Sequence, residues 1–291
     1  MKNLYKKITI QIVLYEEKFE LIKSCLSTLK DMRIIIIDNK NDFKLKKKIT
    51  SQFTIDTYIL NKKNLGYSKG HNQASHYVKT EYMLILNADC IIEKSSIQNL
   101  IKTIDENNQC GLICPTTYDE NNNLTYCSGF FPEKDFKSMP LVLDGDACVQ
   151  TVLGSSMLIS KKLFNELNGF DENFFLYFSD DELCKRIYQK KLSIIQSFNS
   201  KAIHIHGITK VKNIFKKIFL REFYYTFDEL YYYYKYKLNQ NIFKKNKKKK
   251  NLYLIKFFTS LIFFKFNKCI FYLARFLALS KFLKKFEKNN F

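Results

Sequence analysis

Three groups of residues in this 291-residue chain have types and spacings suited to chemistry. Two aspartates end apolar runs: Asp38 closes "RIIIID" (33–38), and Asp89 follows "YMLILNA" (82–88). Asp180, Asp181 and Glu182 stand together behind the aromatic cluster Phe174, Phe175, Tyr177 and Phe178. His204 and His206 alternate in "AIHIHGIT" (202–209), which puts both on one side of an extended segment. A hard cation such as Mg2+ or Mn2+ takes oxygen ligands and shares them with substrate phosphates, work that suits Asp89 at a sheet edge. A carboxylate beside apolar rings can be tuned as a general base, and acids are tolerated at a helix start by its dipole. Two histidines on one face are candidate metal ligands. Each group also has a plain structural alternative: a turn or cap aspartate, an acidic first helical turn, a core histidine. "NLGYSKGHN" (64–72) adds Asn64, Gly66, Gly70 and Asn72 between a strand and a helix. Glycines there permit close backbone approach, and a helix N-terminus favours phosphate, although neither G-x-G-x-x-G nor the Walker pattern is present.

These residues need a frame that brings them together. Apolar runs predict strands over 8–15, 33–38, 54–60, 82–87 and 151–159. Helical spacing predicts helices over 17–30, 68–79, 161–168 and 180–190, and one capped by Ser95 or Ser96 that carries Ile97, Leu100, Ile101 and Ile104. The alternation is that of an α/β protein with a parallel sheet covered on both faces. In such sheets ligands sit beyond the carboxyl ends of the strands, where Asn87 and Asp89 fall.

The net charge of +20 is uneven. Residues 1–207 carry +3 and residues 208–291 carry +17, with 24 of the 46 Phe and Tyr residues in the second part. This predicts a catalytic domain over 1–207 and a basic, aromatic, helical region over 208–291 that meets an anionic partner. The apolar stretches of 252–286 are interrupted by Lys256, Lys265, Lys268 and Arg275, too short to span a bilayer but suited to the surface of an anionic membrane. RNA is the other anionic candidate; no nucleic-acid motif accompanies the segment, so none is expected as partner. Eight cysteines form no CxxC pair, and "MKNLYKKITIQIVLYEE" has no cleavage site. Reduced thiols and a cytoplasmic protein, peripheral on the inner membrane face, are expected.

In this order the segments resemble the bacterial family 2 glycosyltransferases of the rhamnosyltransferase-like kind, which have a GT-A (Rossmann-like, mostly parallel) fold. "YEE" resembles the family's "tyN" segment with Glu16 in place of Asn, and "IIIIDNKN" resembles "vvvDNgS". "NLGYSKGHN" resembles the "N-x-G-f-a-x-x-x-N" loop, and "LILNADC" resembles "llNpDv". "LGSSMLISKKLFNELNGFDENFFLYFSDDELCKR" resembles the family's "sGa-mlirr-vf-evGgFDe-fF-y-eDvDLc-R", with Ser179 for a glutamate and Glu182 for an aspartate. "IHIHG" resembles its late "v-H-g". The resemblance implies inverting transfer of rhamnose or a similar sugar from a dTDP-, UDP- or GDP-sugar to a glycan or lipid-linked acceptor. It implies that Asp38, Asn64, Gly66, Asn72, Asn87 and Asp89 bind the donor and that Asp89 holds Mg2+ or Mn2+ with His204, or alternatively His206. It makes Asp180 the base. A sugar-activating nucleotidyltransferase is the enzymatic alternative, but the glycine- and arginine-rich phosphate loop is missing.

Overall fold

The structure is a computed structural model that describes residues 4–134, 139–205 and 213–287. It divides into two units: Met1–Glu172 with Ser179–Lys210, and Asn173–Phe178 with Val211–Phe291. The boundary expected at 207/208 falls outside the described residues, and the second unit gains the 173–178 segment.

In the first unit, β1 (Ile8–Leu14), β2 (Arg33–Asp38), β3 (Thr57–Leu60) and β4 (Tyr82–Leu86) pair in parallel in the order β3-β2-β1-β4. Alternation along each strand sorts the side chains onto two faces. Ile34, Ile36, Leu84 and Leu86 join α1 (Phe19–Ser27), α2 (Phe43–Thr50) and α4 (Lys94–Glu106) in one core. Ile35, Ile37, Met83 and Ile85 join α3 (Gly66–Ser75), α5 (Lys161–Glu166) and α6 (Ser179–Gln189) in the other.

The remaining strands are β5 (Cys90–Ile92), β6 (Cys110–Tyr118), β7 (Ser128–Gly129), β8 (Ala147–Val149), β9 (Thr151–Val152), β10 (Ser156–Ser160) and β11 (Ser193–His204). β10 runs antiparallel between β4 and β6, and β11 is parallel to β6 but antiparallel to β5 and β8. The sheet is therefore mixed, and the parallel arrangement is confined to β1–β4 and the β6–β11 pair. The antiparallel entry of β10 has a consequence: the residues before it lie beside the carboxyl end of β4, where Asn87 N–H donates to Ser155 C=O at 2.8 Å.

Two local expectations change. The run 151–159 breaks at 153–155 into β9 and β10. α4 starts at Lys94 with Glu93 as N-cap and no side-chain cap bond. Ser96 is instead buried against β11: its Oγ accepts Lys201 N–H at 2.9 Å and its carbonyl accepts Ser200 Oγ–H at 3.0 Å. All eight cysteines are free thiols.

The second unit holds α7 (Ile214–Lys235), α8 (Ile242–Ile262) and α9 (Phe266–Phe286) around a core of its own, with Phe227, Tyr231, Tyr232, Tyr253, Phe282 and Phe286. The aromatic cluster that precedes Asp180 in the chain contributes to this core. Phe174 packs on Tyr231 at 4.8 Å, Phe175 stacks on Tyr224 at 3.8 Å, and Phe178 meets Tyr225 and Tyr232. Asp228 fixes this segment by accepting the N–H groups of Phe175, Leu176 and Tyr177 at 3.0–3.2 Å. Burial raises the Asp228 pKa to about 6 against these bonds. Asp228→Ala leaves three N–H groups without their acceptor, so a loss of about 2–4 kcal/mol is expected in urea unfolding of the chain. An unchanged midpoint would mean that the segment is held by its rings alone. Among the described residues no helix is long and apolar enough to cross a membrane.

Candidate active site

From β1 the chain moves outward to β2 and β3, then returns to β4 on the other side of β1. That reversal opens a crevice beyond the carboxyl ends of β1 and β4. Tyr15-Glu16-Glu17 leaves one strand and Asn87-Ala88-Asp89 leaves the other, with Asp38 at the end of the neighbouring strand.

Asp38 is fully buried. Its Oδ1 accepts Lys40 N–H at 2.7 Å, and its Oδ2 accepts Asp42 N–H at 3.3 Å and the Tyr58 hydroxyl at 3.1 Å. These three bonds take most of the about four lone-pair positions of the carboxylate and hold the exit of β2 in place. Burial, then the Asp38 charge, pushes the Tyr58 hydroxyl up and keeps it a donor. Glu17 belongs to this edge and was not singled out by the sequence. Its carboxylate accepts Tyr15 N–H. Burial raises its pKa to about 7, with the charges of Asp89 and Asp38 adding to the effect. The signal was present: two acids follow the first apolar strand, as single acids follow the second and fourth. Glu16, at φ +66°, turns away to pair with Lys40 at 2.6 Å.

Asp89 meets His204 because β11 runs back along β5 with His204 opposite Cys90. The Asp89 carbonyl accepts Ile205 N–H at 2.9 Å, and His204 Nε2 lies 3.3 Å from Asp89 Oδ1. His206 lies outside the described residues. One carboxylate and one imidazole fit a Mn2+-type ion. Among the described residues no group of three or more His, Cys, Asp and Glu is arranged to hold a metal. The pair would therefore leave most coordination positions to phosphate oxygens and water, as Mg2+ and related ions prefer.

The 64–72 loop is built largely by its own side chains. Asn64 Oδ1 accepts Gly66 N–H at 2.9 Å, and Gly66 has φ +80°, which favours glycine. Asn72 Oδ1 accepts Phe170 N–H at 2.8 Å while its Nδ2 donates to Phe170 C=O at 2.9 Å. The two asparagines thus shape the loop and dock α3 onto the 170 segment. Gly66 C=O accepts Asn39 Nδ2 at 3.1 Å, which ties the loop to the end of β2. His71, buried among Tyr67 and Phe170, is held neutral, its pKa driven down to about 3 by burial.

Asp180 sits in the first turn of α6 against the break between β9 and β10. Gly154 N–H donates to its Oδ2 at 2.7 Å, and Asp181 N–H donates to its Oδ1 at 3.1 Å. Burial raises the Asp180 pKa above the ordinary carboxylate range, and the backbone donors offset part of that rise. Burial and then the Asp180 charge push the Asp181 pKa well up. Glu182 is fully buried and clasped by Arg186, Nε–Oε1 at 2.8 Å and Nη2–Oε2 at 2.7 Å. Arg186 also donates to the carbonyls of Leu167 and Gly169. Glu182 thereby anchors the helix that carries Asp180. Ser179 Oγ is buried and has no hydrogen-bond partner among the described residues.

Gly154 and Tyr67 were also missed, because they act through backbone atoms and a loop contact that spacing does not reveal. The Tyr67 hydroxyl donates to Gly154 C=O at 2.7 Å. A Cβ on Gly154 would lie 2.5 Å from the Tyr67 hydroxyl oxygen and 3.3 Å from Asp180 Oδ2. Gly154→Ala should therefore displace both side chains and lower kcat by about tenfold or more, since small misplacements of a reacting group are costly. Its melting temperature and kcat, measured together, check this; a fully active alanine variant would remove Gly154 from the site.

The chain matches glycosyl transferase family 2 over residues 9–167, from β1 to the end of α5. It is 28% identical over 217 residues to the low-salt glycan biosynthesis hexosyltransferase Agl10 of Haloferax volcanii, covering 70% of this chain and 69% of that one. It is 29% identical over 175 residues to the rhamnosyltransferase WbbL of Escherichia coli K12, covering 53% and 66%. Among solved structures it is similar to GalNAc-T7 with UDP, GalNAc and Mn2+, with a TM-score of 0.58 at 15% identity. It is also similar to the mannosyltransferase PcManGT of Pyrobaculum calidifontis in complex with GDP-Man and Mn2+, with a TM-score of 0.53 at 12% identity. Those alignments cover 69% and 76% of this chain but 44% and 62% of theirs, and they show a shared GT-A fold. With more than half of its length inside the family match, on the sheet whose edge gathers Glu17, Asp38 and Asp89, the chain belongs to glycosyltransferase family 2.

Proposed function

We propose that the chain is an inverting, metal-dependent glycosyltransferase that moves rhamnose or a similar hexose from a dTDP-, UDP- or GDP-sugar to a hydroxyl of a growing cell-surface or lipid-linked glycan. The observation that carries this reading is the Asp180 carboxylate, held by Gly154 N–H and Asp181 N–H and raised in pKa by burial. A base poised above the ordinary carboxylate range is suited to take a proton from a hydroxyl. In the step, an Asp180 oxygen accepts the acceptor hydroxyl's proton as the hydroxyl oxygen bonds to the anomeric carbon. The bond from the anomeric carbon to the donor phosphate breaks, and the nucleoside diphosphate leaves. Asp180 then releases the proton to solvent. Asp89 and His204 are the residues that would hold Mg2+ or Mn2+; bound there, the ion supplies positive charge to the leaving diphosphate. Asp38 and the 64–72 loop, with Asn87, would bound the nucleotide side of the crevice.

The related enzymes fit this reading: one acts as a hexosyltransferase and one as a rhamnosyltransferase, and the structural neighbours carry UDP or GDP-Man with Mn2+. The first unit would hold the catalytic site, and the second would meet the cytoplasmic face of an anionic membrane. The test is product release against a panel of nucleotide sugars with Mg2+ and Mn2+. Nucleoside diphosphate release from one of them, dependent on a glycan acceptor, is expected. Pyrophosphate release from a nucleoside triphosphate and a sugar phosphate would replace this reading with sugar activation.

A further inference from the structure

In the second unit α8 and α9 pack together, with Tyr253 6.0 Å from Tyr272 and Arg275 Nη1 3.2 Å from the Tyr253 hydroxyl. The turn between the two helices has an unusual surface. Residues 261–268 are all exposed, and five of these eight are large and apolar: Leu261, Ile262, Phe263, Phe264 and Phe266. Ile262, Phe263 and Phe264 are 70%, 68% and 78% exposed. Leu252, Ile255 and Phe258 are also exposed and lead to the turn at three-residue steps along one side of α8. Exposed apolar side chains are ordinary singly, but a contiguous patch marks an interaction surface. The backbone here is closed by hydrogen bonds, Phe264 N–H to Leu261 C=O at 3.0 Å and Lys265 N–H to Ser260 C=O at 2.8 Å, so the rings are presented by a formed turn.

Charge selects the occupant. Residues 242–286 contain 13 Lys and Arg and no Asp or Glu. Lys256, Lys265 and Lys268 flank the apolar tip directly. A second copy of the same hairpin would bring like charges together. Single-stranded nucleic acid would use the rings but gains little from Leu261, Ile262 and Ile255. An anionic bilayer satisfies both properties: apolar side chains enter the acyl boundary, while lysines reach back to the phosphates.

We propose that the α8–α9 turn inserts into an anionic lipid bilayer, with Ile262, Phe263, Phe264 and Phe266 as the wedge and the flanking lysines on lipid phosphates. This deepens the peripheral-membrane part of the proposed function and rests on it. The chain contains no tryptophan, so one introduced residue is a unique fluorescent probe. With vesicles of phosphatidylglycerol and phosphatidylcholine, the emission of full-length Phe264→Trp should shift to the blue. Lipids brominated in the upper acyl chain should quench it. A Phe43→Trp probe, at a site 72% exposed on α2, should stay unquenched. Phe263→Ser with Phe264→Ser should weaken partition into these vesicles about tenfold or more while leaving donor affinity unchanged. Co-sedimentation of the wild type together with unquenched emission from Phe264→Trp would overturn the hairpin and leave the membrane reading standing. Failure of the wild type to sediment with any anionic vesicle would overturn both. Self-association without lipid that the double serine variant abolishes, or RNA retention without vesicle binding, would assign the patch to another occupant.

Discussion

Asp180→Asn is expected to lower kcat by about 10²- to 10⁴-fold, the usual contribution of a positioned base, and to leave donor affinity nearly unchanged. The amide keeps the shape and can still accept Gly154 N–H through its oxygen, but it cannot take a proton. At 1.36 kcal/mol per decade, the loss corresponds to about 3–5 kcal/mol of transition-state stabilisation. The pH profile is a separate readout. The base works only when ionised, and burial disfavours that form, so kcat/KM of the wild type should fall on its acid side at a pH above the ordinary carboxylate range. The backbone donors pull in the other direction. Gly154→Ala, by disturbing the Gly154 N–H bond, should move that limb further up. A wild-type acid limb at the ordinary Asp value, or an asparagine variant that keeps more than about a tenth of the rate, would remove Asp180 as the base.

The parallel core and the strand-end carboxylates were legible because β1, β2 and β4 are buried on both faces, which makes them near-continuous apolar runs with polar exits. The mixed half of the sheet was not. β9, at two residues, is too short to show alternation, and the reversal of β10 depends on tertiary pairing with β4. Asp180 was found through a segment-long resemblance, whereas the groups that hold it, Gly154 N–H and Tyr67 through Gly154 C=O, involve backbone atoms that carry no side-chain signature. Glu17 was legible by the same logic as Asp38 but was overshadowed by Glu16. The basic, aromatic, helical character of the C-terminal region is legible in its composition; that its rings also fill a core shared by α7, α8 and α9 depends on tertiary packing. Cutting the chain after Lys237 would strip Phe227, Tyr231 and Tyr234 of their partners Phe282 and Phe286 on α9, so the deletion would report on folding as much as on lipid. Point changes at the exposed turn avoid that confusion, because Phe263 and Phe264 contribute little to the core.

Removal of divalent metal is expected to have an effect of similar size to loss of the base. Excess chelator should bring transfer to background, and Mn2+ or Mg2+ should restore it. Asp89→Ala should weaken donor binding in the presence of Mn2+ by about tenfold or more, and should change it little in chelator, because the carboxylate acts on the diphosphate through the ion. His204→Ala should give a smaller loss of the same metal-dependent kind. His204 Nε2 lies 3.3 Å from Asp89 Oδ1, and His204 stands opposite Cys90 of β5 in the backbone ladder, so the alanine change removes the imidazole while the strand pairing beside Asp89 stays. Titration calorimetry with donor, with and without Mn2+, separates these cases. Asp38→Asn is the contrasting change: it removes one of the two oxygens that accept Lys40 N–H and Asp42 N–H but does not touch Asp89, so its effect on donor binding should be the same with or without the ion. Full transfer in excess chelator, or an Asp89→Ala loss equal in both conditions, would mean that Asp89 contacts the donor directly. The diphosphate charge would then have to be met by side chains, and the nearest acids, Glu17 and Asp38, are of the wrong sign for that task. The charges of Asp89 and Asp38 add to the burial that raises the Glu17 pKa to about 7, so this sheet edge is already crowded with negative charge. An anionic donor brought beside Asp89 would add to that repulsion, which a divalent charge held by Asp89 and His204 would offset.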